Sequence, residues 1–238
     1  MLPRMPRNRL LLLAAAAGVA AVVVVVLVVA LGTGGGSSSP TTTAASTTKG
    51  PEAVSTFAGV PQHGDTLGKP SAPATLTVFE DPQCPYCRQW NIDTLPTVVD
   101  RYVRTGRLKL EYRGIVVIGV NSVAGLRAIY GAAPQNKLWN MAEALYERQG
   151  EENSGWITLP VIRDAAREVG ADPAKVVAAA DSKAVTEALN ENARVMKAEG
   201  VNSTPTFVVQ RQLGTPFQLQ IGGLEPDQFT PSLDAVLQ

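Results

Sequence analysis

Apolar residues change their spacing several times along this chain. From Leu10 to Leu31 they form a run of 22 residues without a charged side chain. A helix of that length matches the roughly 30 Å hydrocarbon core of a bilayer, so residues 10–31 are expected to span a membrane. Over residues 32–56 the pattern disappears. GTGGGSSSPTTTAASTTKGPEAVST is small, hydroxylated and rich in Gly and Pro, and such a chain cannot bury enough apolar area to order itself. It reads as a flexible tether, some 20 residues of which reach about 25 Å. A stalk carrying O-linked sugars would tether equally well.

From Phe57 to Gln238 the periods of folded elements take over, with no internal repeat. ATLTVFE (Ala74–Glu80) alternates and is β-branched, which predicts a strand. A helix is expected from about Pro85 to Arg104, kinked at Pro96, which has no backbone donor. RLKLEYR (Arg107–Arg113) alternates again and reads as a second strand. Residues 120–199 show helical spacing with start and stop signals. Pro134 opens PQNKLWNMAEALYERQG, which Gly150 closes. Thr158 caps LPVIRDAAREVG, and Asp172–Pro173 is a cap followed by a first-turn proline. The last helix of the block carries Val185, Leu189, Ala193 and Met196 on one face and stops at Gly200. TPTFVVQ and PFQLQIG read as strands joined by a Gly-containing turn, and EPDQFTPSLDAVLQ as a terminal helix. The order βαβ, helical block, ββα predicts an α/β domain over 57–238. Its mixed sheet has helices on both faces and a helical subdomain inserted at about 115–199.

Composition and charge sharpen this outline. The 238 residues carry 21 Lys and Arg against 21 Asp and Glu, and zero net charge gives no support to a nucleic-acid binder. Arg4, Arg7 and Arg9 precede the apolar run, and Lys49 is the next basic residue after it. That asymmetry places a tail of residues 1–9 in the cytoplasm and everything beyond Leu31 outside. The alternative is a cleaved signal peptide and a secreted domain. Signal cores are shorter, about 7–15 residues, and no clean small-x-small cleavage site follows, which favours a retained single-pass signal anchor in the cell membrane. Either way the domain is exported into an oxidising compartment. No cysteine closely follows the run, which excludes lipid attachment there.

The chain has two cysteines, Cys84 and Cys87, in QCPYCRQW. Three readings compete: a redox pair, half of a metal site, and a local staple. Tetrahedral zinc needs four ligands, and beyond the pair there is one histidine, His63, in an expected loop. A disulfide from i to i+3 closes too short a loop to constrain the unfolded chain much. The pair sits where a strand gives way to a helix, beside unpaired N–H groups and the positive end of the helix dipole. A thiolate there titrates below the free value of about 8.5. In that geometry Cys84 is expected to be the exposed nucleophile, and Cys87, one turn in, the resolving thiol. Pro85 suits the first helical turn, and Tyr86 flanks the thiols and can tune them. With His63 the lone histidine, a hydrolase triad within the domain is not expected.

FEDPQCPYCRQW resembles the active-site strand, turn and helix of the DsbA-like thioredoxin-fold thiol–disulfide oxidoreductases. GVNSTPTFVV (Gly200–Val209) is similar to that family's Thr–cis-Pro loop. APQNKLWNMAEALYERQG is similar to its inserted-helix segment, and IGGLEPDQFTPSLDAVL to its last strand and helix. The likeness covers about Leu67 to Gln238. VVQRQLG departs from the Asn-Gly turn common after that strand. The resemblance implies a thioredoxin-like fold and a cis Thr204–Pro205 bond beside the cysteines. The backbone before Pro205 would pair with an extended substrate, and Thr204 would modulate Cys84. It implies a redox-active Cys84–Cys87 disulfide, no cofactor, exported proteins with cysteine thiols as substrates, and a membrane redox partner that recycles the pair. No dimerisation module is evident in the insertion, so a monomer is expected and a dimeric, V-shaped isomerase is disfavoured.

Glu80 and Asp81 precede the pair. One reading makes Glu80 an acid that relays protons for Cys87. The expectation is instead a strand-end carboxylate facing water, with Asp81-Pro82 as a turn signal. Trp90 and Trp139 are expected to be packing residues, and Arg163, Arg167 and Glu168 a solvated helix face. The expected function is a membrane-anchored extracytoplasmic oxidoreductase that forms disulfides in exported proteins, with a reductase or isomerase of the same chemistry and a non-catalytic tethered chaperone as the alternatives.

Overall fold

The computed structural model describes residues 56–238. The chain separates into two units, Met1–Gly50 and Pro51–Gln238, and every described residue belongs to the second. The expected cytoplasmic tail, membrane anchor and nearly all of the tether lie outside the described residues. Among those described, no helix is long and apolar enough to cross a membrane.

Six strands form one sheet: β1 (Gln62–His63), β2 (Thr66–Leu67), β3 (Ala74–Glu80), β4 (Lys109–Gly114), β5 (Thr206–Arg211) and β6 (Phe217–Gln218), in the spatial order β1-β2-β4-β3-β5-β6. β3 and β4 are parallel and every other pairing is antiparallel. The expected strands are present, although PFQLQIG pairs only over Phe217–Gln218. The β1–β2 hairpin was not anticipated, because two-residue strands are too short to show a period. His63 is therefore on an edge strand rather than in a loop, and it is exposed.

Alternation assigns the two faces of the sheet. Register places Leu76, Val78 and Glu80 beside Leu110, Tyr112 and Gly114 on β4, and Val78 beside Phe207 on β5. This face packs on rings from two helical segments. Trp90 lies 4.8 Å from Phe207 and 4.6 Å from Phe229 between ring centroids. The opposite face offers Phe79 and Val208, which pack with Ile115, Val201, Val195 and Met196. Helices thus cover both faces, as the βαβ–ββα order requires. Trp90 and Trp139 are fully buried.

The helix expected over Pro85–Arg104 is not uniform. It runs as α1 (Pro85–Gln89), a π turn (Trp90–Thr94), α2 (Leu95–Val98) and a second π turn (Val99–Val103). Pro96 has no N–H to donate one turn back, and the helix widens just before it, where Leu95 N–H reaches Trp90 O. Widening absorbs the missing bond that a sequence reading assigns to a kink. Between β4 and β5 come α3 (Ser122–Gly131), α4 (Leu138–Glu147), α5 (Leu159–Glu168), α6 (Pro173–Ala180) and α7 (Lys183–Ala198), and α8 (Pro226–Val236) closes the chain. Thr158 and Asp172 cap α5 and α6 as expected: Thr158 accepts from Val161 N–H, and Asp172 from Ala174 and Lys175 N–H. Pro134 lies inside a separate 3-10 turn (Ala133–Gln135), and α4 starts only at Leu138, after Asn136 in the left-handed region. Gly200, with φ of 65°, ends the turn after α7. On α7 the inward position is Asn192, fully buried, and Ala193 is exposed. The side chain of Asn192 bonds Gly114 O and Tyr130 Oη, so a polar residue fills what the apolar pattern assigned to Ala193.

Candidate active site

β3 runs out at Glu80, and residues 81–84 fold into a tight turn. Cys84 N–H donates to Asp81 O at 2.9 Å, and Gln83 N–H donates to the Asp81 carboxylate at 2.9 Å. The other Asp81 oxygen accepts from Val117 N–H at 2.8 Å and Ile118 N–H at 2.9 Å. Ser122 Oγ donates to Asp81 at 2.6 Å. Asp81 is thus more than a turn signal: fully buried, it ties the turn to the loop after β4. Cys84 is the N-cap of α1 and Pro85 occupies its first turn.

The expectation of an exposed Cys84 needs correction. Only 3% of its surface is accessible and none of Cys87. The order of the two holds, but the turn is sunk between the cis-proline loop and the inserted helices. Cys84 Sγ lies 3.2 Å from Thr204 O, 120 residues away. The Thr204–Pro205 bond is cis, as the family resemblance implied. The Thr204 hydroxyl is buried and favours a thiolate on Cys84. Tyr86 is 62% exposed beside the pair. His63, on β1, is separated from β3 by β2 and β4.

The two sulfurs titrate in opposite directions. The Cys87 thiol, then Thr204 and the N–H groups of Cys87 and Tyr86, bring Cys84 down to about 6 against the opposing effect of burial. Burial, hydrogen bonding to Cys84 and the nearby Glu80 charge push Cys87 well above the ordinary thiol range.

Glu80 also departs from expectation. Its carboxyl does not face water but is fully buried on the inner face of the sheet. Asn91 Nδ2 donates to Oε1 at 2.9 Å and Tyr146 Oη donates to Oε2 at 3.0 Å. Burial raises Glu80 to about 8, although both hydrogen bonds favour its charged form. The parity of ATLTVFE contained the signal, since Glu80 follows Leu76 and Val78 at a period of two.

Sequence reasoning missed the residues by which the insertion grips the turn. Gln149 Nε2 donates to Pro82 O at 2.9 Å and to Cys84 O at 3.0 Å. Gln83, itself buried, bonds Ser122 Oγ at 2.8 Å and accepts from Asn153 N–H at 2.7 Å. Arg88 Nε donates to Tyr146 O at 3.1 Å. Among the described residues no group of three or more His, Cys, Asp or Glu side chains could hold a metal ion.

A family model described as thioredoxin matches residues 62–216. The chain belongs to the thioredoxin family. Among curated relatives, this thioredoxin-family chain is 27% identical over 158 residues to a probable disulfide bond formation protein D of Bacillus cereus, covering 63% of this chain and 72% of that one. It is 26% identical over 170 residues to disulfide bond formation protein D of Bacillus subtilis, covering 68% and 74%. Among solved structures, oxidised BdbD of Bacillus subtilis superposes with a TM-score of 0.63 at 20% identity, over 75% of this chain and 97% of that one. The DsbA-like resemblance read from the motifs is borne out by these relatives.

Proposed function

We propose that this DsbA-like thiol–disulfide oxidoreductase is a membrane-tethered, extracytoplasmic enzyme that forms disulfides in exported proteins through Cys84 and Cys87. One observation carries the assignment of roles: a low-pKa sulfur at a helix N-cap, 3.2 Å from Thr204 O, above a fully buried second thiol.

A substrate thiolate attacks Cys84 of the Cys84–Cys87 disulfide. The S–S bond breaks, Cys87 leaves with the electron pair, and the Glu80 carboxyl gives it a proton. A second substrate thiolate attacks its own sulfur in the mixed disulfide, and Cys84 leaves as a thiolate. The substrate loses two electrons to the enzyme pair. A membrane redox partner carrying a disulfide takes them back and restores Cys84–Cys87. The backbone at Thr204 and the exposed Tyr86 flank the sulfur under attack.

The lowered Cys84 supports the oxidising direction. At pH 7 a sulfur of pKa about 6, compared with an ordinary 9.0, favours the reduced pair by about 1.4 kcal/mol, or about 30 mV toward an oxidant. This contribution grows as pH rises from 6 toward 9 and disappears below 6. The tether and the charge asymmetry around residues 10–31 support the placement outside the membrane.

Replacing Cys87 by Ala should accumulate mixed disulfides on Cys84 in cells, and none forming while wild type is active would reverse the assigned roles. The reduction potential in a glutathione buffer should lie well above the roughly −270 mV of a reductant such as thioredoxin; a value at or below that would make the enzyme a reductase. Full biological activity in the Cys84→Ser, Cys87→Ser double variant would leave only a binding module.

A further inference from the structure

The carboxyl of Glu80 is held by side chains from two elements. Oε1 takes its hydrogen bond from Asn91, one turn beyond Cys87 on the same helical stretch, and Asn91 also bonds Cys87 O at 2.9 Å. Oε2 takes its hydrogen bond from Tyr146, 66 residues away on α4 of the inserted block. Both Glu80 and Tyr146 have no accessible surface. Thus one oxygen is held by the thioredoxin core and the other by the insertion.

We propose that Tyr146 is a positioning residue for thiol–disulfide exchange. Its hydroxyl holds Glu80 in the orientation and charge state from which Glu80 exchanges a proton with Cys87, and this makes the inserted helical block part of the redox machinery. The inference rests on the reading of Glu80 as the proton relay of Cys87.

Chemistry makes the hydroxyl matter. A buried carboxylate deprived of a donor carries the full desolvation cost of that oxygen. The titratable groups around Glu80 are Cys84 and Cys87 of the active-site turn and helix, Tyr112 of β4 and Tyr146 itself. Asp81 turns its carboxylate away to Val117 and Ile118. Both tyrosines are pushed well above their ordinary range by burial, so Tyr146 stays a neutral donor wherever the enzyme works. Burial raises Glu80, and the bonds from Asn91 and Tyr146 are the leading opposing effects.

Phenylalanine at 146 removes the donor and keeps the ring. Helix α4 has other holds on the turn, from Arg88 Nε to Tyr146 O and from Gln149 to Pro82 O and Cys84 O. The substitution therefore removes only the hydroxyl, which besides Glu80 Oε2 also lies 3.3 Å from Asp81 O.

The test follows one step in the full-length chain. Dithiol enzyme mixed with oxidised glutathione forms a mixed disulfide on Cys84. Cys87 then passes its proton to the Glu80 carboxylate and attacks the Cys84 sulfur, and glutathione leaves as a thiolate. Acid quench and thiol alkylation give the rate of this release across pH. Tyr146→Phe should move the acid limb of the profile up by about one pH unit, making release about tenfold slower at pH 7, with rates converging at high pH. Glu80→Gln should abolish this Glu80 limb, leaving a slower rate that rises only as the Cys87 thiol ionises, and adding Tyr146→Phe to it should change nothing more. If Glu80→Gln abolishes the limb while Tyr146→Phe leaves it in place, the inference falls and the Glu80 reading stands. A uniform slowing without a shift of the limb makes Tyr146 merely structural and overturns the inference. If Glu80→Gln leaves the limb intact, both readings fall. Should Tyr146→Phe not fold, 3-fluorotyrosine at 146 is nearly isosteric and a stronger donor. The limb should then move down, and an unmoved limb overturns the inference.

Discussion

Replacing Glu80 by Gln should make this protein more stable and less active, and the gain in stability should depend on pH. Glu80 titrates at about 8 in the fold against 4.5 for a free side chain. The folded state holds this proton more tightly than the unfolded state. Stability from this group is therefore complete below about 4.5, falls as pH rises, and levels off above about 8. At pH 7 the unfolded chain has released the proton and most folded molecules retain it. The wild type has lost about 2.5 pKa units of linkage by then, or about 3 kcal/mol. A glutamine is neutral in both states and escapes the loss. Its carbonyl can accept from Asn91, and its amide can donate to the Tyr146 oxygen, so neither oxygen site is orphaned. The variant should match wild type near pH 4 and exceed it by up to about 3 kcal/mol at pH 7, a rise in Tm of about 6–12 °C for a domain of this size. Urea unfolding followed by tryptophan fluorescence measures this. The three tryptophans, at 90, 139 and 156, all lie in the folded domain, so the signal reports that domain even in the full chain. If the stability difference is the same at pH 4 and pH 7, Glu80 does not carry a raised pKa and the reasoning fails. Stability given up at a buried acid is a common cost of a working site.

Other substitutions test other parts of the structure. Thr204→Val removes a hydroxyl that favours the Cys84 thiolate, so the midpoint of thiolate absorbance should rise from about 6; an unchanged midpoint would separate Thr204 from the sulfur. Gly131→Ala would place a Cβ 2.5 Å from Val176 O, a backbone atom that cannot step aside. It should cost about 1–3 kcal/mol in urea unfolding, as overpacking does. Asp172→Ala removes the cap that accepts from Ala174 at 2.9 Å and Lys175 at 3.3 Å. It should cost about 1 kcal/mol, and no measurable loss would mean that α6 is held by packing alone.

The site was only partly legible in the sequence. The cysteine spacing, the strand-to-helix junction and the cap at Cys84 came through, because strand, turn and helix signals are local. The side chains that hold the turn did not. Gln83, Asn91, Tyr146 and Gln149 are common residue types with no motif of their own, and their roles exist only once β3, the first helix and α4 are packed together. Glu80 was misjudged for a different reason. Its position after Leu76 and Val78 marks the inner face, but a carboxylate at a strand end ordinarily lies in water, and the ordinary case prevailed over parity. The same conflict reversed Asn192 and Ala193 on α7, where Asn192 finds buried partners in Gly114 and Tyr130.

The sequence by itself determined the order of the longer elements, the caps of α5 and α6, the family likeness and the placement of Cys84 at a helix start, because each depends on neighbouring residues or on spacing. Only the tertiary structure decided how deep the two thiols lie, which carboxylate is buried beneath them, and which donors face it. Burial and electrostatics are sums over everything nearby in space. The groups that set them here stand 66 and 120 residues away from the residues they act on, a distance that no local pattern spans.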